Sequence, residues 1–151
     1  MKRFKFRLET VLGYRQTLKK EQERELASRQ GELTVAEQHL DEIIAAQDEA
    51  GVEEEEQVLT MAEMALQGQY QARMREALEE QRLLILQAAD AVEQARDAYI
   101  EKSVEAEILE NLKERRKEEF ETDEVRRERK AQREMTGQRH RFNQKGESED
   151  E

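Results

Sequence analysis

Apolar residues recur every seven positions along two separate stretches of the chain. The first stretch carries Leu12, Leu26, Leu33 and Leu40, with alternate positions at Leu8, Ala36, Ile43 and Ala50. The second carries Leu78, Ile85, Val92, Tyr99, Ala106 and Phe120, with alternate positions at Ala88, Ala95 and Leu109. A seven-residue apolar repeat places one narrow stripe on an α-helix and makes two such helices supercoil. The pattern therefore predicts a coiled coil of two helical arms.

Polar residues interrupt both stripes. In the first arm they are Arg15, Lys19, Gln22 and Arg29, and in the second Gln81, Lys102 and Arg116. Polar residues at such positions lower the stability of a coiled coil while they fix its register. We therefore expect these side chains to lie in the seam.

The repeat is weakest between residues 51 and 69, where Gly51, the run Glu53–Glu56 and Gly68 occur. Glycine disfavours a helix interior, and adjacent like charges repel one another along a helix. We therefore predict a chain reversal at 51–69, a first arm at about 5–50 and a second at about 70–141. The predicted fold class is all-α, a single antiparallel two-helix coiled-coil hairpin over 1–142. One unbroken helix that dimerises in parallel is the alternative, and it gives no reason for the two glycines.

Composition supports long helices and argues against a compact enzyme. The 151 residues include no Pro, Cys or Trp, and 42% of them are charged. Such a composition is typical of coiled coils, and a chain without Cys has neither disulfides nor thiol chemistry. The charged opening lacks a signal peptide's apolar run, and the longest apolar run is Leu83–Leu86. These features predict a soluble, cytoplasmic protein.

Charge is unevenly distributed along the chain, which has a net charge of -11. Residues 2–24 carry +5, 25–112 carry -16, 113–142 carry +3 and 143–151 carry -3. A hairpin would thus have one basic end and one acidic end, which suggests two different partners, although solvated helix faces would give the same pattern. The last segment, 143–151, has no apolar side chain and is predicted to be a disordered acidic tail.

No constellation of residues indicates catalysis or a cofactor. His39 and His140 lie over a hundred residues apart, and the sequence has no phosphate-binding glycine loop and no nucleophile elbow. We therefore predict a non-enzymatic protein with no cofactor, no metal and no small-molecule substrate.

Two basic runs, Arg115–Lys117 and Arg126–Lys130, raise the question of nucleic acid binding. Glutamates and aspartates are interleaved with them, and many can pair with the basic residues along a helix. Phosphate binding needs an uninterrupted positive face, so an acidic protein surface is the preferred partner and nucleic acid is not expected.

Three stretches of the chain contain recognisable motifs. The opening FKFRLETVLGYR, from Phe4 to Arg15, resembles the F-x-F-x-L followed by V-L-x-Y-R of the flagellar export protein FliJ family. The stretches 69–83 and 107–120 resemble its segment close to the turn and its late L-E-x-L-K-E-R-R pattern. The similarity extends over nearly the whole chain in the right order, and the opening is its most specific part.

The resemblance implies an antiparallel coiled-coil hairpin similar to the central stalk of rotary ATP synthases. Members of the family associate with the hexameric export ATPase FliI and the export gate protein FlhA, and they also bind export chaperones. The resemblance thus implies a flagellar type III export component for bacterial motility, cytoplasmic and peripheral to the inner membrane through its partners alone.

The resemblance also implies two sets of binding residues. The set facing the ATPase ring is Phe4, Phe6, Arg7, Leu8, Val11, Leu12, Arg126, Arg127, Arg129, Arg133 and Phe142. The set facing the gate is His39, Ile43, Ala46, Ala50, Tyr70, Met74, Ala77 and Gln81. Phe4 and Phe6 could instead staple the helix ends together, and Tyr70 and Met74 could be ordinary seam residues.

Three other functions remain open from the sequence. A structural or adaptor coiled coil would share the repeat, and the stalk of a virulence injectisome would share nearly every feature except the flagellar opening motif. A nucleic-acid-binding helical hairpin is the least favoured, because acids interrupt the basic runs and the pI is about 4.9.

Overall fold

Two long helices make up the fold. The computed structural model describes residues 3–55 and 58–147, except for the side chains of 52–55, 140 and 142–147. Helix α1 runs over Glu9–Glu55 and helix α2 over Met61–Glu147. The described ranges contain no strand, and the two helices pack against each other as a helical hairpin. The all-α fold class is therefore confirmed.

Helix α1 begins after a short non-helical segment. Residues 3–6 are irregular and 7–8 form a turn, in which the Glu9 amide donates to the Phe6 carbonyl over 3.2 Å. The Leu12 amide then donates to the Leu8 carbonyl over 2.8 Å. Glu9 supplies a negative charge in the first turn, where it complements the helix dipole. The helix thus starts later than the predicted position near residue 5.

A reciprocal cap fixes the beginning of α2. The Glu63 amide donates to Thr60 Oγ1 over 3.3 Å, and the Thr60 amide donates to Glu63 Oε2 over 2.6 Å. These two bonds satisfy amides that would otherwise have no partner in the first turn. The Thr60 amide, and to a smaller degree the Thr60 side chain, lowers the pKa of the Glu63 carboxyl.

The helices extend further than the repeat predicts. Gly51 lies in α1, Gly68 lies in α2, and α2 continues through residues 143–147 of the predicted tail. A glycine costs a helix about 1 kcal/mol relative to alanine, and an established helix without proline can absorb that cost. The predicted reversal at 51–69 is therefore too wide, and residues 148–151 of the tail lie outside the described residues.

The chain forms two compact units, each of which contains part of both helices. Unit 1 comprises Met1–Arg15 and Glu105–Glu151, and unit 2 comprises Gln16–Val104. Both units have thin cores. The buried apolar residues are Leu12 and Ala106 in unit 1 and Val92 and Ala95 in unit 2.

In unit 2, side chains are buried or partly buried at the intervals of the heptad repeat. On α1 they include Lys19, Gln22, Leu26, Arg29, Leu33, Ala36, Leu40 and Ile43, and on α2 Leu78, Gln81, Ile85, Ala88, Val92, Ala95, Tyr99 and Lys102. The polar residues predicted for this part of the seam therefore lie in it. They are Lys19, Gln22, Arg29, Gln81 and Lys102. The Arg29 guanidinium donates hydrogen bonds to Glu32 and Glu25, and these bonds raise the pKa of Arg29.

In unit 1, the helices run in opposite directions. Lys113 Nζ lies 2.8 Å from a Glu9 carboxylate oxygen, and Arg15 Nη1 lies 2.5 Å from Glu105 Oε2. Position 15 is therefore a seam position, as predicted. Arg116 was also predicted for the seam but does not lie in it, because its side chain is exposed and pairs with Glu119 of its own helix. Since Lys113 already pairs with the first residue of α1, Arg116 has only the non-helical opening segment to face.

Candidate partner-binding surfaces

The opening segment and α2 enclose a groove in unit 1. Its volume is about 760 Å³. Its lining residues are Phe4, Lys5, Phe6, Arg7, Leu8, Leu112, Arg116, Glu119, Phe120 and Asp123. The rings of Phe4 and Phe120 pack against each other, with their centroids 5.7 Å apart and their planes at 51°. This tilted contact tethers the opening segment to α2.

The groove combines an apolar floor with free positive charge. Phe4 and Phe6 are half-buried and Leu8 is partly exposed, so apolar surface remains accessible. Arg116 is paired with Glu119 over 3.2 Å. Lys5 and Arg7 form no ion pair with any residue the structure describes. Such a surface suits a partner with an apolar side chain flanked by carboxylates.

The other residues predicted for the ring surface are distributed differently. Val11 is exposed near the start of α1, whereas Leu12 is only 3% exposed and packs inward. Leu12 thus stabilises unit 1 and offers no surface to a partner. Phe142 lies in α2, and its side chain is outside the described part of the chain.

The four predicted arginines of α2 do not share one face. Each described side chain between Val125 and Arg139 is exposed. At 100° per residue, Arg126, Arg129 and Arg133 fall within a 60° sector, and Arg127 points well away from it. Arg127 pairs with Glu124 over 2.9 Å and Arg126 pairs with Asp123 over 3.8 Å, whereas Arg129 and Arg133 form no ion pair with any described residue. We call Arg126, Arg129 and Arg133 the arginine face.

Most acidic residues near the arginine face point elsewhere. Glu124, Glu128 and Glu134 project within a 120° sector on the other side of α2, whereas Asp123 lies beside the face, 3.8 Å from Arg126. A shallow surface depression between Arg129 and Arg133 has a volume of about 560 Å³, and its other lining residues are Gln132, Thr136 and Gly137. Arg129 and Arg133 thus point away from the glutamates that alternate with them in the sequence.

The predicted gate residues all lie in unit 2, where they divide into two groups. The exposed ones are His39, Ala46 and Tyr70. Ile43, Ala50, Met74 and Ala77 are half-buried, and Gln81 is buried. Gln81 Nε2 donates to the Ala36 carbonyl over 2.7 Å, so its amide is used within the hairpin. His39 Nδ1 lies 3.3 Å from Glu42 on the same helix.

Sequence reasoning missed three features of these surfaces. Leu112 and Phe120 line the groove, although the repeat marked Phe120 only as a seam residue. The direction of Arg127 followed from helix geometry and the glutamate three residues before it. The cap at Thr60 was visible as the pattern T-x-x-E before an apolar stretch.

Two further observations concern chemistry and membranes. Among the residues that the structure describes, no three His, Asp or Glu side chains are grouped as a metal site would require. Neither described helix contains a segment apolar and long enough to cross a bilayer.

Comparison with known proteins gives the family. The model of the flagellar FliJ protein family matches residues 4–145 of this chain. The chain belongs to the flagellar FliJ protein family. Searches of curated proteins and of solved structures found no match. The resemblance in the three sequence motifs is thus confirmed over nearly the entire chain, and membership indicates a component of flagellar protein export.

Proposed function

We propose that this FliJ family protein is the stalk of the flagellar export apparatus. In this role it associates with the hexameric export ATPase FliI, promotes the assembly or activity of the hexamer and links it to the gate protein FlhA. It acts in the cytoplasm, at the cytoplasmic side of the inner membrane once assembled, and escorts export chaperones. The observation that carries the proposal is the arginine face, which occurs in the same unit as the apolar groove.

Each surface of unit 1 supports a part of the ATPase contact. The groove offers Phe4 and Phe6 with the free cations Lys5 and Arg7. The arginine face offers guanidinium groups whose planar geometry suits bidentate pairing with carboxylates. An acidic protein surface with exposed apolar side chains is complementary to both.

The asymmetry of a hairpin gives a way for the stalk to influence the ATPase ring. Two unlike helices cannot contact six equivalent subunits in the same way, so they stabilise some subunit interfaces more than others. A ligand that binds two states with different affinity shifts the equilibrium between them. The stalk therefore biases which interface of the ring closes.

The gate contact is proposed for the exposed part of its predicted set. His39 and Ala46 of α1 and Tyr70 of α2 are accessible, and half-buried Ala77 adds a small apolar surface. Gln81 supports this surface from within through its bond to Ala36.

Charge reversal tests the ATPase contact. The variant Arg126→Glu/Arg129→Glu/Arg133→Glu removes the arginine face, and the matched control Arg127→Glu alters a residue that already pairs with Glu124. We expect the triple variant to lose at least about tenfold in affinity for FliI, since each lost charged contact costs more than 1 kcal/mol. We expect the control to bind within about twofold of the wild type.

Measurements of FliI binding and ATP hydrolysis, with helical content monitored by circular dichroism, separate the outcomes. Unchanged binding by the helical triple variant would remove the arginine face from the mechanism. If the wild-type chain neither binds FliI nor changes its ATP hydrolysis, a structural adaptor would be the remaining function.

A further inference from the structure

A stripe of exposed and half-buried apolar side chains follows one side of unit 2, next to the exposed residues of the predicted gate set. It contains Val35 of α1 and Leu84, Ala91 and Ala98 of α2, and we call it the lateral groove. Leu84 belongs to the longest apolar run of the sequence, in which Ile85 is half-buried. Leu84 is 52% exposed and Val35 is 64% exposed, so the hairpin itself leaves both side chains largely uncovered.

Heptad geometry places these residues on one side. Leu84, Ala91 and Ala98 each immediately precede a seam residue of α2. In an antiparallel pair, the equivalent positions of α1 face the same side, and here they are Glu32 and His39. Val35 lies one turn from both. The bond from Gln81 to the Ala36 carbonyl puts Val35 and Leu84 at the same level of the hairpin.

Helix α2 therefore has three apolar positions per heptad over this stretch, whereas a two-stranded coiled coil uses two. An apolar face of three positions in seven is the pattern of a helix that contacts more than one neighbour. Ala91 and Ala98 are half-buried and small, so they allow close approach of another backbone. The lateral groove has the form of a site for a third helix.

The charge around the lateral groove limits which helix fits. On this side of the hairpin lie Glu25 and Glu32 of α1, which both pair with Arg29, and Glu80 of α2, one turn from Leu84. Near Leu84, Glu80 forms no ion pair with any described residue, and Arg82 is already paired with Glu79. An anionic lipid surface or a nucleic acid would be repelled, and a helix with Lys or Arg beside its apolar stripe would be attracted.

We propose that the lateral groove binds one basic amphipathic helix of a partner protein, which completes a three-helix arrangement. Aliphatic side chains of that helix pack on Val35 and Leu84, its backbone passes close to Ala91, and its flanking cations pair with the surrounding carboxylates. This surface adjoins the exposed gate residues on the same side of the hairpin, and it shares no residue with the proposed ATPase or gate contacts.

The test uses a synthetic peptide of about 20 residues, with a leucine stripe and lysine flanks, that is long enough to form a helix. Its binding to the full chain is measured by fluorescence anisotropy. The variant Val35→Gln/Leu84→Gln removes the apolar anchors. Leu86→Gln is the matched control, because Leu86 is as exposed, at 67%, but is rotated by about 200° from Leu84.

We expect the double variant to raise the Kd at least about tenfold and the control to change it by less than about twofold. A peptide of the same composition in scrambled order should bind at least about tenfold more weakly, since it lacks the stripe. Ala91→Lys, which keeps the helix but places bulk and positive charge in the groove, should also weaken binding.

Three results would overturn the proposal. Equal binding of the scrambled peptide would show attraction by charge alone. Equal losses for the double variant and Leu86→Gln would show that the groove is not the site. A wild-type dimer in light scattering that Val35→Gln/Leu84→Gln converts to a monomer would show that a second copy occupies the groove. Circular dichroism of each variant confirms that the helices persist.

Discussion

Gln81 is the most informative single residue of unit 2, because its polar side chain is only 6% exposed, whereas the other polar side chains of the seam are only partly buried. Its amide donates to the carbonyl of Ala36. A polar residue buried in a coiled coil lowers stability and specifies register, since other alignments leave it without a partner. Gln81 therefore works inside the hairpin, and its effect on a partner is indirect.

Replacing Gln81 measures what its buried amide contributes to the stability of the hairpin. We expect Gln81→Leu to raise the free energy of unfolding by about 1 kcal/mol, because a buried apolar group replaces an amide whose hydrogen bond has a small net value. Gln81→Ala should lower it by about 1 kcal/mol through the loss of packing. Urea unfolding followed by circular dichroism measures both. A Gln81→Leu chain less stable than wild type would contradict the role given to this residue.

Among helix elements, the beginning of α2 is defined most sharply. Thr60 and Glu63 exchange two hydrogen bonds, and the pKa of Glu63 is lowered as a result. A carboxyl whose pKa is lower in the folded state adds stability above its unfolded pKa. That contribution is lost as the pH falls through the folded pKa. The cap should therefore weaken in acid, below the ordinary range of a glutamate.

The variant Thr60→Ala tests this cap. We expect it to raise the pKa of Glu63 part of the way towards its ordinary value, because the amide of residue 60 remains, and to destabilise the first turn of α2 by about 1 kcal/mol. Carboxyl NMR titration reports the pKa, and amide hydrogen exchange in the first turn reports the opening. Thr60→Ser is the control, because it keeps the hydroxyl acceptor. Unchanged hydrogen exchange in the first turn of Thr60→Ala would show that the Thr60 hydroxyl does not cap the helix in solution.

The elements also show what the sequence can and cannot predict. The heptad positions of Leu12, Val92 and Ala106 were predictable because apolar side chains must leave water together. The helix ends were less predictable, because Gly51 and Gly68 lower helix stability locally by an amount that long helices tolerate. The exposure of Arg116 depended on where the other helix begins, which its own sequence neighbourhood does not encode.

The candidate surfaces were predictable to a smaller degree. Charge counting found the basic segments, and family resemblance found Phe4 and Phe6. Only the structure separated Arg127 from Arg129 and Arg133, because neighbours in the sequence point in different directions on a helix. The contact between Phe4 and Phe120 joins residues over a hundred positions apart, and its tilted geometry required the structure.

At the scale of the whole molecule, family membership and charge distribution support the same account. The chain belongs to a family of flagellar export components, its middle is acidic and residues 113–142 are basic. A protein of this kind can bind partners of opposite character with different segments. The ATPase contact of unit 1 is the central claim, because the stalk function depends on it.

The most direct test of that claim is the rate of ATP hydrolysis by purified FliI, measured as this chain is added and combined with electron microscopy of the particles. The account predicts faster hydrolysis that saturates with the added chain, together with hexameric rings that contain density at their centre. An unchanged rate with empty rings, under conditions in which the chain is helical, would contradict the stalk function.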